Sequence, residues 1–358
     1  MIPVGAVTSA PEAPMKALFF AAHGGLDALQ YGDRPDPSPG AGEILVRVEA
    51  AALNRLDLFV LAGIPGAPIV LPHVPGADGT GIVEALGAGV KGPPPGARVV
   101  LQPGLSCGAC EFCRAGEQSL CVSFRILGEH VPGTFAERIA VPASNVYPAP
   151  PGLSAEQAAA FPLAALTAWR LLVTRAALRP GETVLIHGIG GGVSTFALQI
   201  AKLCGASRVI VTSSSAAKLA RAKELGADDV LDSKEDVGRR VRELTGKRGV
   251  DVVVDSVGAA TWKHSLVAAA KGGRIVTPGA TSGPNPEEEI RHIFWKQLSI
   301  LGSTMGTDRE FAALLAAISA GRIVPVVDSV IPLGEGRKAY ERMQKSEGLG
   351  KIVLKVGA

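Results

Sequence analysis

The sequence predicts an α/β chain in which a β-rich lobe is interrupted by a doubly wound, parallel six-stranded sheet. Three observations carry that expectation. Residues 183–302 alternate apolar strand segments with amphipathic helical ones. A glycine-rich turn, Gly188-Ile189-Gly190-Gly191-Gly192, separates the first of those strands from the helix after it. The first 150 residues are instead cut into short β segments by Gly and Pro.

The elements follow in order. Residues 15–20 open as a strand, after an extension, residues 1–14, whose prolines Pro11 and Pro14 and lack of a basic start make it a poor signal peptide. Met15 is a candidate natural start. Strands are expected at 43–51, 81–86 and 98–101, with Pro-Gly turns between them. Helical windows appear at 155–160 and 164–174. The alternation then places strands at 183–187, 208–212, 229–231, 250–254, 273–276 and 298–302. Helices join them at 193–203, 216–225, 237–244 and 262–270. The last fifty residues hold two helices and a strand at 352–356, too little for a domain, and are expected to pack back on the first lobe.

Composition bounds the function. The 358 residues carry 36 Lys plus Arg against 33 Asp plus Glu, a net charge of +3, too even for a nucleic-acid or membrane-surface protein held by bulk charge. No stretch reaches the ~18 apolar residues that span a bilayer. Five cysteines, four of them within fifteen residues, argue against a secreted disulfide framework and for a cytoplasmic chain.

The glycine turn lies where a dinucleotide pyrophosphate would sit. Gly188, Gly191 and Gly192 let the backbone approach it closely, and Val193 begins the helix whose free N–H groups face the anion. The second strand ends in Val211-Thr212-Ser213-Ser214-Ser215 with no carboxylate, and Lys218 follows. Hydroxyls from Ser213 and Ser214 with a cation suit a 2′-phosphate, so NADPH is expected, with NADH as the alternative and a merely solvated Lys218 as the plain one. Cys107, Cys110, Cys113 and Cys121 have the spacing of a closed tetrahedral zinc site, which is structural because it leaves no open position. Two disulfides, bare thiols or an iron–sulfur cluster compete with it. Cys204 is expected in the core.

Together these features resemble the medium-chain dehydrogenase/reductase superfamily, with its zinc alcohol dehydrogenases and quinone reductases. The resemblance runs from Met15 onward through PGAGEILVRV at 39–48, PGADGTGIVE at 75–84, GTFA at 133–136, AAAFPLAALTAW at 158–169 and GKIVL at 350–354. It implies a GroES-like catalytic domain from 15–163 and 306–358, with a Rossmann domain at 164–305 between its two parts. It adds Lys351 to the cofactor-binding set, and implies a homodimer or homotetramer pairing through the strand at 298–302.

The three positions that hold a catalytic zinc in the alcohol dehydrogenases fall here on Asn54, Ala77 and Phe161-Pro162-Leu163, none of them a metal ligand. Asp57 and Asp78 remain beside them. The resemblance therefore implies a reductase without catalytic zinc that passes hydride to a small-molecule enone or quinone, with Asn54 as the catalytic hydrogen-bond donor. Its alternatives are an alcohol dehydrogenase with a zinc on His73 and Asp57 or Asp78, and a non-catalytic NADPH-binding protein. His73 and His130 are expected to be loop histidines, and His187 to pack a turn. Leu61, Ile64, Ile69 and Phe294 are candidates for an apolar pocket.

Overall fold

The computed structural model describes residues 14–66 and 68–357. The expected N-terminal extension, apart from Pro14, lies outside the described residues.

The six predicted strands of the nucleotide lobe form one parallel sheet. Its order is Asp229–Asp232, Arg208–Ser213, Thr183–Ile186, Val250–Val254, Ala269–Thr277 and Ser299–Gly302. Leu185 pairs with Ile210 on one side and Val253 on the other. Helices cover both faces, so the central strands are apolar at consecutive positions rather than alternating ones: Val184, Leu185 and Ile186 are all fully buried. Pro162–Trp169 and Gly192–Leu203 pack one face, Val237–Leu244 and Trp262–Ala268 the other. The strand order reverses between Thr183–Ile186 and Val250–Val254, and a crevice at such a point is where doubly wound sheets bind ligands.

The other lobe is a seven-stranded, mostly antiparallel sheet around its own core. Glu43–Ala52 is its centre, paired with Asp78–Leu86, Arg138–Pro142 and Lys351–Lys355. The C-terminal strand thus returns to the first lobe, with Leu354 opposite Ala51.

Several elements differ from the expectation. The stretch read as strands and turns contains a helix, Arg55–Ala62, whose first turn is held by the Asp57 carboxylate accepting from the Asn54 N–H at 2.6 Å. The helix expected to run to residue 270 ends at Ala268, because Ala269 already extends into Ala269–Thr277. The helix after Pro162 loosens into a wider π turn over Arg170–Arg175. A strand at Val327–Pro332 was not expected; it pairs with the C-terminal strand.

Candidate active site

Thr183–Ile186 leads into Gly188 and Gly190, at φ +68° and +135°, and then into the twelve-residue helix Gly192–Leu203. Ser194 ties the turn together: its hydroxyl lies 3.0 Å from the carbonyls of both Gly188 and Gly191, which share its one proton. A Cβ at Gly190 would stand 2.9 Å from the Lys218 side chain, and one at Gly192 would stand 2.8 Å from both Ala164 and Lys351. At Gly191 it would meet nothing nearer than 4.0 Å. An open glycine face at a helix start suits a pyrophosphate, so the loop fits the dinucleotide expected there. His187, just before it, is buried and pushed down to about 4 by loss of solvent, a neutral packing group as expected.

Around the outer end of this loop the chain gathers cations. Ser213 ends its strand without a carboxylate, although Asp232 stands opposite it on the neighbouring strand. Ser215 caps the helix Ala216–Glu224 by accepting from the Lys218 N–H. The Lys218 ammonium donates to the Ser346 carbonyl at 2.5 Å, and burial lowers its pKa. Arg55, from the other lobe, donates to the Ser346 hydroxyl at 2.5 Å. Arg55 was missed from sequence because its partner is 291 residues away.

The positions that lack metal ligands meet in one polar centre. The Asp78 carboxylate accepts from the Leu163 N–H at 2.7 Å, from the Asn54 amide at 2.9 Å and from the Lys351 ammonium at 2.8 Å. Lys351 also donates to the Asn54 carbonyl oxygen. Lys351 is 3% exposed and Asp78 wholly buried. Ala77, between Gly76 and Asp78, is buried in the core. Beneath them Asp57 accepts from the N–H groups of Asn54 and Gly76, and burial pushes its carboxyl up to about 7. The Tyr340 hydroxyl is buried with no hydrogen-bond partner among the described residues, and loss of solvent first, then the charge of Asp57, raises its pKa.

The structure brings Asn54 and Lys351 together and leaves other candidates apart. His73 is buried with Nε2 3.0 Å from the Gly128 carbonyl, and His130 accepts from the Ile126 N–H at 3.2 Å, both the backbone roles expected of loop histidines. Leu61 is a core residue of the catalytic lobe, and Ile64 and Ile69 pack on that core. Phe294 sits exposed on the helix Ile290–Lys296 of the nucleotide lobe. Leu61 is therefore corrected as a pocket residue, because it is sealed in the core.

Among the described residues, the four clustered cysteines can share a metal ion, their sulfurs within 4.8 Å of one another. Four ligands at ~2.3 Å around zinc stand ~3.8 Å apart along a tetrahedron edge. Cys107 and Cys113 sulfurs are 3.9 Å apart. Backbone N–H groups of Cys107 and Ser123 donate to the Cys121 sulfur at 3.3 and 3.4 Å. The N–H groups of Cys113 and Val122 pull Cys110 down to about 6. The residues fit a structural zinc. Cys204 is half-buried at the end of the helix Gly192–Leu203, against the core rather than within it.

Comparison with known proteins agrees with the two-lobe fold. Residues 40–151 match the alcohol dehydrogenase GroES-like domain, and residues 192–320 the zinc-binding dehydrogenase domain. The chain is 34% identical over 347 residues to an acryloyl-coenzyme A reductase of Metallosphaera sedula, covering 95% of this chain and 99% of that one. It superimposes on a crystal structure of an NAD-dependent alcohol dehydrogenase with a TM-score of 0.93 and 47% identity, covering 96% of this chain and all of that one. A crotonyl-CoA carboxylase/reductase in complex with NADP matches with a TM-score of 0.89 and 26% identity, covering 96% of this chain and 95% of that one. The expected two-lobe fold and the relatives agree: the chain belongs to the medium-chain dehydrogenase/reductase superfamily, the zinc-type alcohol dehydrogenases and their reductase kin, and is an NAD(P)-dependent oxidoreductase.

Proposed function

We propose that this oxidoreductase reduces a carbonyl-conjugated C=C acceptor, an enone, quinone or enoyl thioester, with NADPH and without a catalytic metal. The observation that carries the reading is the centre formed by Asn54, Asp78 and Lys351, where an amide at Asn54, a methyl group at Ala77 and the Phe161-Pro162-Leu163 segment offer no thiolate or imidazole and the Lys351 ammonium sits on Asn54 and Asp78. Alcohol oxidation benefits from a metal that stabilises the alkoxide. A conjugated acceptor needs less, because its carbonyl already draws charge toward oxygen and a hydrogen bond can hold it there. When bound, the nicotinamide supplies the hydride. The glycine turn and the N-terminus of Gly192–Leu203 hold the pyrophosphate, Ser213, Ser214 and Lys218 the 2′-phosphate, and the Asn54 centre the acceptor oxygen. The acryloyl-CoA reductase relative supports this acceptor class.

A second reading is favoured by the 47% identical structure of an NAD-dependent alcohol dehydrogenase, and by Asp232 beside Ser213. Quinones, enones, enoyl thioesters, aldehydes and alcohols assayed with both nucleotides, before and after mild chelation, separate the two. Conjugated acceptors reduced with NADPH by protein holding one zinc per chain support the proposal. Activity on alcohols alone, lost reversibly on chelation with the fold intact, overturns it. A second copy pairing along the outer strand Ser299–Gly302, at the edge of the six-stranded sheet, and a cytoplasmic location belong to the same proposal. Among the described residues, no helix is long and apolar enough to cross a membrane.

A further inference from the structure

We propose that the Lys351 ammonium is the electrophile of this site, its remaining N–H donating to the acceptor's carbonyl oxygen where a metal would otherwise act. This deepens the reductase reading and rests on it.

A lysine ammonium has three donors and no acceptor. Here one goes to the Asp78 carboxylate and one to the Asn54 carbonyl oxygen, and the third has no protein partner among the described residues. Both partners accept from it. Two fixed hydrogen bonds also settle the rotation about the Cε–Nζ bond, which sets the direction of the third. That is a preorganised donor, oriented before any charge develops.

The path of the side chain places this donor at the junction of the lobes. Gly350 donates to the Gly190 carbonyl at 3.0 Å, and Lys351 N–H to Val326 at 2.9 Å, so the backbone is pinned beside the nucleotide turn. The stem then crosses Gly192 so closely that a Cβ there would lie 2.8 Å from Lys351 Cδ. The head ends in the other lobe, on Asn54 and Asp78. A side chain serving only the pyrophosphate would have no need to bury its charge at 3% exposure against Asp78.

Asn54 takes a different part. Its amide nitrogen donates to Asp78 at 2.9 Å and faces the Ala52 carbonyl at 3.5 Å, while its oxygen is held by Lys351. It is thereby a positioning residue that aims the ammonium. In the step itself, a C–H bond of the bound dihydronicotinamide would break and its hydride, with the electron pair, would bond the β-carbon, oxidising NADPH to NADP+; the C=C π pair shifts to the bond between the α-carbon and the carbonyl carbon, and the carbonyl π pair moves onto oxygen as an enolate. The Lys351 N–H bond tightens onto that oxygen without the proton leaving nitrogen. The α-carbon then takes a proton from water, and the saturated carbonyl is complete.

The test separates this role from a phosphate contact. Lys351→Met and Lys351→Ala are compared with the parent for kcat at saturating NADPH and for the NADPH dissociation constant, titrated by fluorescence on the nucleotide-free protein. The expected result is a kcat lower by about 10²–10³ on an enone or enoyl thioester, with a dissociation constant within about threefold of the parent's. Methylammonium should restore part of the Lys351→Ala rate, and KCl at equal ionic strength should not. An unchanged kcat with a dissociation constant raised about tenfold overturns the proposal and leaves Lys351 a phosphate contact. Should Lys351→Met fail to fold because Asp78 is stranded, Lys351→Met/Asp78→Asn is assayed in its place with the same two outcomes. A parent inactive on every conjugated acceptor with both nucleotides overturns the reductase reading, and this inference falls with it. A parent that is active, with variants equal to it, overturns the inference alone.

Discussion

Lys351 and Asp78, 273 residues apart in sequence, form a buried ion pair at 2.8 Å in the centre of the candidate site. One residue ends the nucleotide-facing turn and the other opens the strand Asp78–Leu86. Removing one member of such a pair leaves an uncompensated charge, which costs about 3–5 kcal/mol, whereas removing both costs much less. Asp78→Asn should therefore lower the urea midpoint more than Lys351→Met/Asp78→Asn does. Equal losses in the two variants would show that the pair is not energetically coupled.

Lys218 tests the cofactor reading. A charge-assisted bond to a phosphate is worth roughly 1.5–3 kcal/mol, so Lys218→Ala should weaken NADPH binding about 10- to 150-fold and NADH binding far less. The Lys218 ammonium donates once, to the Ser346 carbonyl, which leaves two N–H donors to offer a nucleotide phosphate. Titration of both nucleotides against parent and variant decides the matter: equal losses, or a parent that prefers NADH, count against NADPH.

The cysteine site is separable from the chemistry. Cys110 stands at the start of the short helix Glu111–Arg114, and Cys110→Ser removes one of four ligands. The variant should lose zinc and melt at a lower temperature, because metal affinity is folding free energy in such loops. Hydride transfer by the folded fraction should survive. Metal analysis and a thermal scan on the same samples check both halves, and a parent without zinc and with four freely titrating thiols refutes the assignment.

The nucleotide lobe was legible because burial on both faces forces consecutive apolar residues, as in Val184-Leu185-Ile186, and because its glycine turn lies between a strand and a helix. The cysteine site was legible from local spacing alone. The helix Arg55–Ala62 was not, since it spans eight residues inside a β-rich stretch; its one local signal was the Asn54-x-x-Asp57 spacing at its start. Val327–Pro332 hid because it is half-exposed and bounded by prolines, so neither an apolar run nor an alternation marks it. The union of Asn54, Asp78 and Lys351 depends on a strand pairing between the chain's two ends, Leu354 against Ala51, which no local pattern encodes. Resemblance pointed to Lys351 as a cofactor residue; only the fold puts its ammonium on Asn54.

Asp57 gives the chain a pH dependence of predictable sign. Its carboxyl is fully buried, and loss of solvent raises it to about 7 against the opposing help of the Asn54 N–H and the Lys351 charge. In the unfolded chain the same group titrates near ~3.9. Between those values the folded chain keeps a proton that the unfolded chain has released, so this residue's contribution to stability falls as pH rises from about 4 to about 7 and stays constant on either side. A shift of ~3 units corresponds to a cost of up to about 4 kcal/mol above neutrality. Asp57→Asn has no proton to lose there. Its amide cannot accept from both the Asn54 and Gly76 N–H groups as the carboxylate does, which adds a penalty independent of pH. The readout is therefore the slope: from pH 4.5 to 7.5 the urea midpoint of the variant should rise relative to the parent's. Parallel curves across that range would show that Asp57 is ionised throughout and that the N–H groups and Lys351 outweigh its burial.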